Sequence, residues 1–250
     1  MEISIAAETL FSIGGLPVTN AFLIGFLVSI FLILVLRWVE RRKQLVPRGV
    51  QNVIEIIFEG LLALMENVLG DKTQARKFFP LIATIFLFIL ISNWVGLLPG
   101  AGTVGLSHIN NGHATIIPFL RSTSADLNFT LALSLTVILT IQWSGIMALG
   151  IVKYGQKFFV SPFRKPYGIG TAMGLLELVS ECAKLFSFSF RLFGNVFAGE
   201  VLLIVILHLV PYLMPLPFLF LEIFVGLIQA VVFAMLTLVF LKMAMMEATH

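Results

Sequence analysis

Five long apolar runs, each bounded by charged, proline or glycine residues, organise this chain. They cover residues 21–38, 78–98, 127–152, 171–209 and 217–246. About 20 apolar residues in a helix cross the roughly 30 Å hydrocarbon core of a bilayer, so each run predicts a membrane-spanning helix. The first closes on Arg37, Glu40, Arg41, Arg42 and Lys43, and the second on Pro99-Gly100. A turn containing Pro211, Pro215 and Pro217 separates the last two. Residues 171–209 as one helix would extend about 57 Å, nearly twice the hydrocarbon thickness. A steeply tilted C-terminal hairpin is therefore expected, shaped to wrap around a large neighbour.

Residues 51–69 follow a different pattern. Gln51, Asn52, Glu55, Glu59 and Glu66 fall within one arc of roughly 100° on a helical wheel, and Ile, Leu and Phe fill the rest. A spanning helix would have to hide three carboxylates. The segment is read as an amphipathic helix lying along the interface; a sixth span with its acids turned toward other helices is the alternative. The expected fold is an all-α integral membrane protein, residues 1–250 forming one membrane domain of five spans and one interfacial helix.

Composition agrees. Hydrophobic residues make up 59% of the 250 and charged residues 12%, against about 25% charged in a soluble domain. The net charge of +3 is no nucleic-acid footprint, because the basic residues sit at span ends and form no stripe. Cys182 is the only cysteine, which excludes an intrachain disulfide and a thiolate metal cluster, and no metal or cofactor is expected. Residues 1–18 have no basic stretch before the first apolar run, so no cleaved leader is expected.

The positive-inside rule orients the spans. With the N-terminus outside, the cytoplasmic side holds Arg37, Arg41, Arg42, Lys43, Arg48, Lys72, Arg76, Lys77, Lys153, Lys157, Arg164, Lys165 and Lys242. The outside holds Arg121 alone, while Lys184 and Arg191 fall within the membrane. Thirteen against one puts the C-terminus in the cytoplasm.

The chemistry lies in polar residues at bilayer depth. Glu177, Ser180, Lys184, Ser187, Arg191 and Asn195 recur at spacings of three and four, a stripe about 80° wide along the fourth span. Glu200 falls on the opposite side. In the fifth span Glu222 and Gln229 are seven apart and share a face. Ionisable groups in hydrocarbon are costly, and a guanidinium cannot shed its charge. Arg191 has no carboxylate one turn away, so a role beyond structure is expected for it first, then for Glu200, Glu222 and Gln229. The serines have the structural alternative of bonding their own backbone, Asn195 that of bridging helices. Lys184 can snorkel to the headgroups with Glu177 two turns away as partner. Glu181 and His208 lie nearer the helix ends, where an interfacial place is common.

The run Leu185-Phe-Ser-Phe-Ser-Phe-Arg191-Leu-Phe-Gly-Asn195-Val-Phe-Ala-Gly-Glu200 resembles the signature of the subunit a family of F-type ATP synthases, the membrane stator of a rotary motor. Gln229-Ala-Val-Val-Phe-Ala-Met-Leu-Thr-Leu-Val-Phe-Leu resembles that family's last helix. Asn93-Trp-Val-Gly-Leu-Leu-Pro99 and Ser124-Ala-Asp126-Leu-Asn128-Phe-Thr130 resemble two further landmarks, in the same order along nearly the whole chain. The resemblance implies that Arg191 is the essential arginine facing a rotating c-ring, with Asn195 and Gln229 as polar neighbours. It implies that Glu200 and Glu222 line a half-channel, with Asp126, Asn128 and Asn93 along it, Glu177 and Lys184 on the cytoplasmic path, and His208 at an outer end. The family often pairs a Glu with a His at the positions of Glu200 and Glu222; this chain has Glu at both. Implied partners are the c-ring, b-type peripheral stalk subunits and lipid, in the plasma membrane of a bacterium.

Two other classes of membrane protein fit the chain less well. A secondary transporter often shows internal repeats, and none is found. An intramembrane protease needs a Ser/His pair or a zinc motif within the membrane, whereas His108, His113 and His250 fall in loops or the tail.

Overall fold

The computed structural model describes residues 9–13, 16–41, 49–98, 105–110, 113–118, 121–158, 169–210 and 213–246. Arg42, Lys43, Arg48, Arg164 and Lys165 of the charge count, the Pro99-Gly100 and Pro211 breaks, and His250 lie outside them. The spanning helices are α1 (Asn20–Arg41), α3 (Lys72–Val95), α4 (Leu127–Leu149), α6 (Ile169–Leu209) and α7 (Pro215–Met245); all five are long and apolar enough to cross a membrane. The amphipathic segment is α2 (Val50–Leu69), and a short α5 (Ile151–Phe158) follows α4.

The helix ends differ from the ends of the apolar runs by up to six residues, and three of the differences have a local cause. α3 starts at Lys72, six residues before the apolar run, because Asp71 caps it by accepting from the Thr73 amide at 2.8 Å. α4 does not follow its run to 152: Gly150 takes φ 83° and ends the helix at Leu149. α7 starts at Pro215, with proline in its first turn, where its missing N–H costs nothing. Two hairpins add to the helices that the apolar runs predict. β1 (Thr9–Ile13) pairs antiparallel with β2 (Leu16–Thr19), and β3 (Gly105–Asn110) with β4 (His113–Pro118). An Asn111-Gly112 pair between short apolar runs was the signal available for the second.

α1 begins where Asn20 accepts from the Ala21 amide, and its buried column Ile24, Val28 and Leu32 meets Leu87, Phe88, Ile91 and Val95 of α3. Much of the remaining surface of α1, including Phe22, Phe26 and Leu34, is exposed, as a lipid-facing surface requires. α2 packs on α3 through Leu61, Met65 and Leu69 and closes on left-handed Gly70. Lys242 of α7 donates to the carbonyls of Val68 and Leu69 at 3.1 and 3.0 Å, placing a cation at the negative end of α2.

The main core lies where α3, α4, α6 and α7 meet. Phe188 of α6 packs edge-on against Phe233 and Phe240 of α7, with centroids 4.7 and 5.7 Å apart. Phe188, Leu192 and Val196 form a column of period four that the bundle buries. Ser187, Arg191 and Asn195 make the next column, one residue or about 100° away, and that offset turns them out of the core.

Candidate functional site

α6 is 41 residues long, about 60 Å at 1.5 Å per residue. Of the five spans it is the least buried within the bundle. Its outward flank carries the polar stripe: Ser187 and Asn195 are exposed and Arg191 is half-buried. A β-carbon on Gly194 would meet nothing within 4 Å. Arg191 Nη2 donates to Ser187 Oγ at 3.0 Å, and among the described residues no carboxylate lies within ion-pair distance of Arg191. The helix thus presents a fixed positive charge, steadied by one hydroxyl, on an open face at mid-length. Gln229 on α7 is half-buried.

Polar groups gather toward both ends of the bundle, on either side of Arg191. At the end holding the C-terminus of α3 and the N-terminus of α4, Asn93, Arg121, Ser122, Asp126, Thr130, Ser189 and Glu222 are all buried. Asn93 Nδ2 donates to the Gly226 carbonyl at 3.4 Å and Trp94 Nε1 to that of Ile223 at 3.1 Å, fastening α3 to α7. Ser122 Oγ donates to the Ser92 carbonyl, and the Thr130 and Ser189 hydroxyls share a bond of 3.1 Å. Asp126 caps α4 by accepting from the Asn128 amide at 3.0 Å, while the Asn128 side chain is exposed. The Glu222 carboxyl lies where a β-carbon on Gly199 would be, one residue from Glu200. The carboxyl groups of α6 and α7 are therefore brought to one level because position 199 has no side chain. Ser92 Oγ, Asn93 Oδ1, Thr123 Oγ1 and Ser134 Oγ are buried without a hydrogen-bonding protein partner, and such atoms fit a hydrated path.

Arg121 has a partner that the sequence does not reveal. Counted as a lone outside charge, it is buried, with Nε 3.5 Å from Glu200 Oε2. The two are 79 positions apart, so no periodicity could link them.

At the opposite end, Lys184 Nζ bonds Glu181 Oε1 at 2.7 Å and lies 4.9 Å from the Phe240 ring centroid. The expected partner Glu177 is two turns, about 10 Å, along the axis, while a residue three positions away is a direct neighbour. Glu181 replaces it. His208 is exposed, its Nδ1 3.2 Å from the Ile204 carbonyl. Among the described residues no three His, Cys, Asp or Glu side chains cluster as a metal ion would need.

The sequence profile of the ATP synthase A chain family matches residues 22–242. The chain belongs to that family. It is 36% identical over 220 residues to the ATP synthase subunit a of Campylobacter fetus, covering 86% of this chain and 85% of that one. The subunit a of Campylobacter jejuni is 37% identical over 215 residues, with 86% and 85% covered. That of Helicobacter hepaticus is 34% identical over 239 residues, with 94% and 95% covered. Membership accords with the five spans and the all-α membrane architecture, and it spans both polar clusters and the Arg191 stripe.

Proposed function

We propose that this chain is the stator subunit of the membrane sector of a rotary ATP synthase, carrying protons along two offset paths to and from a rotating ring. The observation that carries the reading is Arg191, a permanent cation on the open flank of α6, with polar groups buried toward one end of the bundle and half-buried toward the other. Each ring subunit would hold one carboxylate at mid-membrane. A proton enters along the outer cluster, past Asn93, Asp126, Asn128, Glu200 and Glu222, with His208 at the outer end of α6. It neutralises a ring carboxylate, which can then face lipid. After most of a turn the acid returns to α6 and loses its proton toward Glu177 and Lys184.

Arg191 attracts the bare carboxylate and blocks a direct leak between the two paths, with Asn195 and Gln229 lining the same passage. Each charge crossing supplies roughly 2.3 kcal/mol per 100 mV. No catalytic site for ATP is assigned to this chain; the partners are the c-ring, b-type stalk subunits and lipid. It is placed in the plasma membrane of a bacterium, N-terminus out and C-terminus in the cytoplasm. Cysteines placed in residues 102–120 would then label from outside and those at 155–165 from the cytoplasmic side.

The deciding experiment is substitution of Arg191. Arg191→Lys keeps the charge but loses the planar fork, and Arg191→Ala also removes the barrier. Both should assemble yet make no ATP, and Arg191→Ala should leak protons when a gradient is imposed. Near-normal ATP synthesis by either variant overturns the reading, and loss of assembly in both assigns Arg191 to structure.

A further inference from the structure

The turn at Gly150, φ 83° and ψ 154°, sends α5 back against α4 and α6. Tyr154 of α5 is buried, 5% exposed. Its hydroxyl donates to Gln142 Oε1 on α4. Its ring occupies the space where a β-carbon on Gly145 would fall, beside the Ala244 carbonyl of α7. Gly145 is thus the slot that admits the ring. Burial, then the charges of Glu181 and Glu177 on α6, push the phenol up to about 12, so it stays a protonated donor at neutral pH. The carboxylates that act on it are the ones at the end of α6 where Glu181 holds Lys184. The hydroxyl thus ties α5 to α4, and α5 lies against α6, whose two carboxylates act on the phenol through their charge.

Resting on the inner path proposed above, we infer that Tyr154 is a positioning residue for proton release: bonded to Gln142, it holds α5 across the inner mouth and fixes the wall against which Glu177 and Glu181 stand. Its test uses the assembled complex in inverted membrane vesicles. Tyr154→Phe keeps the ring in its slot and removes only the hydroxyl. Assembly should be normal and ATP-driven proton pumping should fall about two- to tenfold, the factor that loss of one neutral hydrogen bond corresponds to. In a Cys182→Ser background, Glu177→Cys should react several-fold faster with an impermeant thiol reagent from the inner side once Tyr154→Phe is added. In a Glu181→Gln background the same change should cause a smaller further loss, because one group that it positions is gone; a packing role would subtract the same factor in both.

Unchanged pumping with unchanged labelling, the same fold-loss in both backgrounds, or failure to assemble each overturns the inference. The wider reading is separable. If Arg191→Ala makes no ATP while Tyr154→Phe matches the unsubstituted chain, only the role of Tyr154 falls. If Arg191→Ala still makes ATP, the stator reading falls first.

Discussion

Arg121 and Glu200 meet across 79 positions of sequence, with Nε 3.5 Å from Oε2, so the segment before α4 supplies the counter-charge to a carboxylate on α6. Glu200 is partly exposed and Arg121 buried, which makes the arginine the partner less able to stand alone. Removing one member of a buried pair costs several kcal/mol, and a half-exposed pair less, on the order of 2 kcal/mol. Arg121→Gln should lower the thermal stability of the solubilised complex by that amount and slow proton entry. Adding Glu200→Gln should restore stability while entry stays slow. A double variant less stable than Arg121→Gln would show that the two charges do not depend on one another.

Position 199 should tolerate no side chain. Gly199→Ala puts a methyl group into the Glu222 carboxyl, which must move. Proton translocation should fall about tenfold or more, a misplacement of ångström scale at a reacting group being enough for that. Glu222→Asp, one methylene shorter, should recover part of the loss. Wild-type rates in Gly199→Ala would mean that Glu222 works from another position.

Lys242 should hold α2 in place. Lys242→Met keeps most of the side chain's length and removes both bonds to Val68 and Leu69. Charge-assisted bonds contribute roughly 1.5–3 kcal/mol, and partial exposure argues for the lower figure. Hydrogen exchange should speed up in the last turn of α2 and change little in α3. Uniform loss of protection would instead indicate general unfolding.

Tyr154 should titrate apart from an ordinary phenol. Its folded value near 12 lies above the usual 10. Its share of stability is therefore complete below about pH 10 and fades as pH rises through 12. The phenolate absorbance difference between the wild-type complex and Tyr154→Phe should show a midpoint close to 12. A midpoint at 10 would place the ring in water.

Much of this arrangement is legible in the chain alone, for identifiable reasons. A span must satisfy its backbone internally and stay apolar for some twenty residues, so the five helices stand out. Ser187, Arg191 and Asn195 share a face by periodicity, and the neighbouring column of Phe188, Leu192 and Val196 shows which way that face turns. The pairings between distant segments are not legible. Arg121 with Glu200, Lys242 with the end of α2, and Tyr154 with Gln142 depend on how helices pack after insertion. Lys184 illustrates the short-range limit: both Glu177 and Glu181 share its neighbourhood in sequence, and the difference between one turn and two decides the partner.

The length of α6 makes it sensitive to phase. Its polar column and its buried column differ by one residue, so the whole rod works as a single angular scale. Deleting one residue between Lys184 and Arg191 would rotate everything beyond it by about 100° relative to the inner half. Arg191 would swing off its flank while Glu177 kept its place, and Glu200 would turn away from Arg121. Composition along this helix can drift widely while its count of residues stays fixed; connections between the rods have no such restriction. Insertions and deletions in natural or selected variants should therefore accumulate between the rods and be absent from within this one.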